Sequence, residues 1–424
     1  MLIELLLASI LAADPSMFRG GATHSGVYEG PAGIRTVVWK YRTGAKVLSS
    51  PSVEDGVVYV GSSDHNLYAL AAADGALRWK FPTNGPVASS PAIVDGAVYF
   101  TSVDGNLYAV GAADGKLRWK FRTEGERRFT APGIHGAIPR TETMPDPYDV
   151  FLSSPAVVGA TVYFGSGDHN VYAVEAATGK LKWKVATGNV VHASPAVADG
   201  VVYIGGWDRN LYAIDAEKGA VLWKFQTGDD TEIYNQVGIA SSAAVSGRMV
   251  YFGCRDGHFY AVDAKTGTQR WSVDNHKGWV IASPAVRDGV VYFPTSDGKR
   301  FKAVDAVSGA VRFDTGMKAI SFSSPALSGG TAYFGTSDGW LRAVDLQSGK
   351  VTAEFQTDGS KENAAKWIDA AGEMKQTMYP DYTLDGIMVG LDRMFSLGAI
   401  LSSPAIAGGI LYVGSGDGNV YALR

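Results

Sequence analysis

The chain has 424 residues, with 38 lysines and arginines against 42 aspartates and glutamates and no basic stripe, a balance that argues against nucleic acid as a partner. Its single cysteine, Cys254, rules out an intramolecular disulfide and a CxxCH haem site. A chain of this length ordinarily divides into two or three domains, but this one repeats itself, and a repeat array buries its core only as a whole.

In chain order, residues 1–13 (MLIELLLASILAA) look like the apolar part of a secretory signal ending at Ala12 or Ala13, although Glu4 stands where a basic residue belongs. They predict export to the periplasm or cell exterior, and they are too short to span a membrane. Residues 14–35 form a glycine-rich lead-in without strand periodicity. From residue 36 to 424 the chain reads as one domain of repeats, each aligned on a Ser-Ser-Pro or related element starting at Ser49, Ser89, Ser153, Ala193, Ser241, Ala282, Ser323 and Ser402. The unit from Ser153 to Val185 holds four short β-branched and aromatic runs (Ala156–Val158, Thr161–Phe164, Val171–Val174 and Leu181–Val185), each ended by Gly, Asp or Asn. Four strands at this period predict an all-β fold, an eight-bladed β-propeller of four-stranded blades. The segment Thr36–Gly44 is a lone fourth strand, and Ser402–Leu423 supplies only three, so the N-terminal strand is expected to complete the C-terminal blade and close the ring of a monomer. Trp39, Trp79, Trp119, Trp183, Trp223 and Trp271 recur in the fourth strands, where they are expected to dock neighbouring blades, with Phe313 and Ala353 at the matching places.

The pattern Ala213-Ile214-Asp215-Ala216-Glu217-Lys218-Gly219 followed by Trp223, repeated as Ala261-Val262-Asp263 to Gly267 and Trp271, resembles the tryptophan-docking repeat of the quinoprotein (PQQ-type) eight-bladed propellers. The resemblance covers residues 36–424. The docking aspartate is kept as Asp215, Asp263, Asp305 and Asp345, while Ala71, Gly111 and Glu175 replace it in the first three blades. That family includes PQQ-dependent alcohol dehydrogenases and the non-enzymatic outer-membrane assembly lipoprotein BamB. The dehydrogenase branch implies PQQ stacked on a Trp, Ca²⁺ bound by Glu, Asn and Asp, an Asp base and a disulfide of adjacent cysteines; one cysteine cannot supply the last, and no matching ligand set stands out. The lipid-bearing cysteine of the BamB branch is missing too.

Three insertions, at residues 122–150, 229–237 and 358–398, fall between a fourth strand and the next first strand. Alternating strand direction puts them on one face with the second-to-third turns. The repeats act as each other's control there. The residue two before the Ser-Pro pair is apolar in seven units and His192 in the other; the third turn position is small or apolar except for Trp207 and Arg255. Cys254, Trp279, Asn235 and Gln236 lie beside these in sequence. This sector is expected to form a pocket for a planar or anionic ligand, with Arg255 as anion partner and Trp207 or Trp279 as stacking surface; the plain alternative is that it packs the insertions onto the ring. Cys254 reads as a buried small hydrophobe rather than a nucleophile. Residues 361–375 are the helix-like run of the third insertion, whose carboxylates (Asp369, Glu373, Asp381, Asp385 and Asp392) lack calcium-loop spacing. The leading functional expectation is an exported, non-enzymatic binding or assembly scaffold that takes a protein, peptide or small ligand on the insertion face, with no cofactor and no metal assigned. A PQQ- and Ca²⁺-dependent dehydrogenase and a carbohydrate or cell-wall binder using Trp207, Trp279, Trp340 or Trp367 are the alternatives.

Overall fold

A computed structural model describes residues 16–228, 238–276 and 278–424. The leader-like segment 1–13 and the second insertion, with Asn235 and Gln236, lie outside them. Among the described residues, eight blades of four antiparallel strands follow one another round the ring, the seventh joined by a parallel fifth strand and the eighth built from both ends of the described chain. The first has strands Ser52–Glu54, Val57–Ser62, Asn66–Ala71 and Leu77–Pro82. The ring closes as the sequence predicts: Val37–Arg42 pairs antiparallel with Asn419–Leu423, setting Trp39 opposite Ala422. No helix of the described chain is long and apolar enough to cross a membrane.

The first strands line the central channel, and a ring of side-chain bonds joins them. The second serine of each Ser-Ser-Pro element accepts the backbone N–H of its counterpart one blade earlier, from Ser50 N to Ser90 Oγ at 3.1 Å round to Ser403 N to Ser50 Oγ at 2.8 Å. These N–H groups are buried and outside any sheet ladder, so each requires a partner. Serine supplies one at a bond length that fits between blades, which is why the motif is so uniform.

The outer strands dock through the fourth-strand indoles. Each donates its N–H to a carbonyl of the next blade, as Trp39 does to Ala72 at 2.8 Å and Trp271 to Ala306 at 3.1 Å. The ring lies flat against a left-handed glycine of that blade; a Cβ at Gly75 would come within 2.7 Å of the Trp39 indole. Glycine is needed there twice, for its φ of 74° and for the close approach.

Two segments depart from expectation. The lead-in, read as featureless, is a strap across the channel. Its carbonyls accept first-strand N–H groups from Ile93, Val197, Val245, Val286 and Leu327, and Val27–Tyr28 pairs in parallel with Leu327–Ser328. Buried Arg19 donates to the carbonyls of Pro325 (2.6 Å) and Pro284 (2.7 Å), tying two blades to the strap. The third insertion contains two helices, α1 (Asp358–Trp367) and α2 (Leu384–Ser396), where one run at 361–375 was expected. The first begins earlier because Thr357 caps it through Ser360 N, and it ends at Trp367. The second buries Ile387, Leu391, Met394 and Phe395 against the ring.

Two tests follow from closure. Deletion of residues 1–44 removes the strap and the closing strand, so cooperative thermal melting should disappear; a sharp transition near the parent temperature contradicts closure. Ser194→Ala strands the Ser154 N–H and should lower the free energy of unfolding in urea by about 1–3 kcal/mol.

Candidate functional site

The fourth-to-first loops and second-to-third turns meet on one face, as when Gly44 N donates to Asp64 at 2.7 Å and Gly188 N to Asp208 at 2.8 Å. The first insertion folds onto this face as a small hairpin, Thr130–Pro132 against Thr143–Pro145. Its carboxylates reach the residues that break the repeat. His192 is buried between two of them, with Nδ1 2.6 Å from Asp149 and Nε2 2.7 Å from Glu126. Burial opposes a charged imidazole, but the two acids, Asp149 first, outweigh it and push its pKa up to about 10.

One blade further on, Arg255 lies between two indoles, 4.6 Å from the Trp207 ring and 4.1 Å from that of Trp279. Its Nη1 is 2.6 Å from Asp146, whose other oxygen is 2.9 Å from His135 Nε2. Burial raises the Asp146 pKa, yet Arg255 and His135 together hold it well below the usual carboxylate range. Phe129 stacks on the far side of Trp207 at 4.5 Å. The structure sets Arg255 between Trp207 and Trp279 and packs the first insertion against them, while His192 is held separately by Asp149 and Glu126 of the same insertion. Trp207 and Trp279 are only 3% and 6% exposed, so neither offers a face to a sugar. Cys254 lies in the core beside them, its sulfur 3.4 Å from Thr227 Oγ1 and from Gly238 O, with burial raising its pKa to about 12. The acidic residues of the third insertion are dispersed: Asp392 pairs with Lys46, Glu373 with Lys299, and Asp381 caps Thr383.

Two open cavities on this face adjoin the first insertion. One, of about 310 Å³, lies between the first insertion and α2, walled by Leu48, Phe151, Leu391 and Phe395 and edged by His192 and Arg127. The other, about 340 Å³, lies beside the sixth blade between the first and third insertions. Sequence reasoning missed both, because their walls come from α2 and from loop segments with no repeat to compare.

The PQQ_2 family model, described as outer membrane protein assembly factor BamB, matches residues 32–138, 135–273 and 234–377. The chain belongs to this family. The PQQ_2 match spans most of the ring, and three solved structures share the fold. BamB from Moraxella catarrhalis is 16% identical with a TM-score of 0.64, covering 91% of this chain and 96% of its own. A quinohemoprotein alcohol dehydrogenase from Comamonas testosteroni is 15% identical with a TM-score of 0.70, covering 97% and 80%. A europium-containing methanol dehydrogenase is 15% identical with a TM-score of 0.69, covering 97% and 98%. No curated protein sequence matches. At such identities the likeness establishes the PQQ_2 fold.

The residues at the channel mouth do not fit the quinone and calcium of the PQQ-dependent branch. The space above the serine ring is about 50 Å³, room for a few waters and not for three fused rings. Asp149 and Glu126 are both committed to His192, and no tryptophan lines either open cavity.

His192→Gln leaves two buried carboxylates without their cation and should cost about 3–5 kcal/mol in urea unfolding. The folded imidazole pKa lies above the unfolded value of 6.5, so this stabilisation is full below that pH, declines above it, and is gone once pH passes about 10. The difference between parent and variant, measured across that window, should close accordingly.

Proposed function

We propose that the protein is an exported, non-catalytic scaffold that holds a segment of a partner protein on its insertion face. The observation that carries this reading is the cavity between the first insertion and α2. Its wall is apolar, and at its edge Arg127 and Arg128 are exposed with no ion-pair partner among the described residues. Unpaired guanidiniums beside an apolar trough complement an extended segment that alternates acidic and bulky apolar side chains. Both walls are held to the ring, one through His192 and Arg255 and the other through Lys46, whose ammonium pairs with Asp392 and sits 4.2 Å from the Phe395 ring. A surface so fixed binds without a large ordering cost. Membership of a family described as an assembly factor supports a protein partner, and the leader-like residues 1–13 support export.

Panning a random peptide display library on the purified protein should enrich segments that combine Asp or Glu with Leu or Phe, and the double variant Arg127→Glu, Arg128→Glu should abolish that enrichment. Enrichment of basic segments, or enrichment indifferent to the double variant, contradicts the reading. Calorimetric titration with PQQ and Ca²⁺ should show no saturable binding; tight binding accompanied by dye-linked alcohol oxidation would overturn the scaffold in favour of a dehydrogenase.

A further inference from the structure

Each second-to-third turn of the ring carries an aspartate at the same place, and in seven of the eight blades a structural task occupies it. Asp64, Asp104, Asp168, Asp208, Asp256 and Asp417 each accept the hydroxyl of a third-strand tyrosine, at 2.6 Å in the case of Tyr68 and 2.9 Å in that of Tyr421. The same six accept a backbone N–H from the incoming loop. In the seventh blade Arg342 replaces the tyrosine and pairs with Asp338 at 2.9 Å.

The sixth blade is the exception. Its turn, Asp297-Gly298-Lys299-Arg300, is one residue longer than Asp64-His65-Asn66, and the tyrosine position is Lys302. Lys302 and Arg300 both turn to Asp314, at 3.7 and 2.8 Å, so among the described residues the Asp297 carboxylate keeps a 3.3 Å bond from the adjacent Ser296 hydroxyl and no tyrosine or loop bond. Its carboxyl opens into the cavity of about 340 Å³, whose wall includes the rings of His135, Tyr148, Tyr379 and Tyr382. Those rings are held in place: the Tyr148 and Tyr379 hydroxyls are 2.6 Å apart, and His135 is bonded to Asp146. At the rim, Lys299 and Glu373 neutralise one another. Asp297 is itself exposed to solvent at this cavity.

We propose that this cavity binds a small organic cation, a primary or methylated ammonium group, with Asp297 as counter-ion and the surrounding aromatic rings as its wall. An ammonium would pair with the carboxylate that this blade leaves to solvent, and the ring faces would stabilise it further.

Choline and its uncharged carbon isostere are the probes, titrated calorimetrically into the parent protein, Asp297→Asn and Tyr382→Ala. Saturable choline binding is expected in the parent, weakened about tenfold or more by Asp297→Asn and less by Tyr382→Ala, with no binding of the isostere. Absence of choline binding, equal binding of the isostere, or indifference to Asp297→Asn overturns the proposal. Thermal melting separates a ligand role from a fold role. Asp297→Asn should melt with the parent, whereas Asp104→Asn, which breaks the tyrosine and loop bonds, should melt several degrees lower; a matching loss in Asp297→Asn makes the residue structural and ends the proposal.

Discussion

Eight serine hydroxyls, each accepting a backbone N–H from the blade before, fix the geometry on which the rest of the molecule depends. A first strand at the channel wall has N–H groups that no neighbouring strand can reach, and leaving them buried without acceptors would cost about 1–3 kcal/mol each. Because every blade solves the problem in the same way, the blades stand in equivalent positions. A single unusual side chain then acts on its surroundings without shifting the scaffold.

The first insertion shows what such substitutions do. Two adjacent blades offer it His192, Trp207 and Arg255, and it answers with Asp149, Glu126, Phe129 and Asp146. A buried cation set against these acids contributes little beyond the cost of its own desolvation, but removing one member leaves an uncompensated charge. The arrangement therefore specifies where the hairpin sits. An ordered hairpin, facing α2 across a cavity, gives the ring a shaped surface in place of a flat disc.

The strand count, the blade number, the closing strand and the docking indoles were legible because repetition exposes them: what recurs at one period must do the same job in each blade. The outliers on the insertion face were legible for the converse reason. Their partners were not. Asp146 and Asp149 lie in a segment with no second copy, so nothing in the sequence marks them as different from solvated loop acids. The strap of residues 16–28 was hidden because its bonds follow a curve around the channel and leave no alternation. The second helix of the third insertion was obscured by Gly386 and Gly390, although Leu384, Ile387, Leu391 and Met394 keep a helical spacing. Asp297 escaped notice because it is the expected residue; what has changed is the residue at the tyrosine position, Lys302, which turns to Asp314 instead.

The central claim is that the first insertion is a fixed wall of the ring and not a lid. Hydrogen–deuterium exchange at single-residue resolution tests it most directly, at the amides of Phe129, Asp146 and Tyr148, which donate to Asp149, to the Phe129 carbonyl and to Asp146. Protection comparable to that of the blade strands is expected, lost together in His192→Gln. Exchange as fast as that of an exposed loop in the parent protein would contradict it, because the insertion would then open independently of the residues said to hold it.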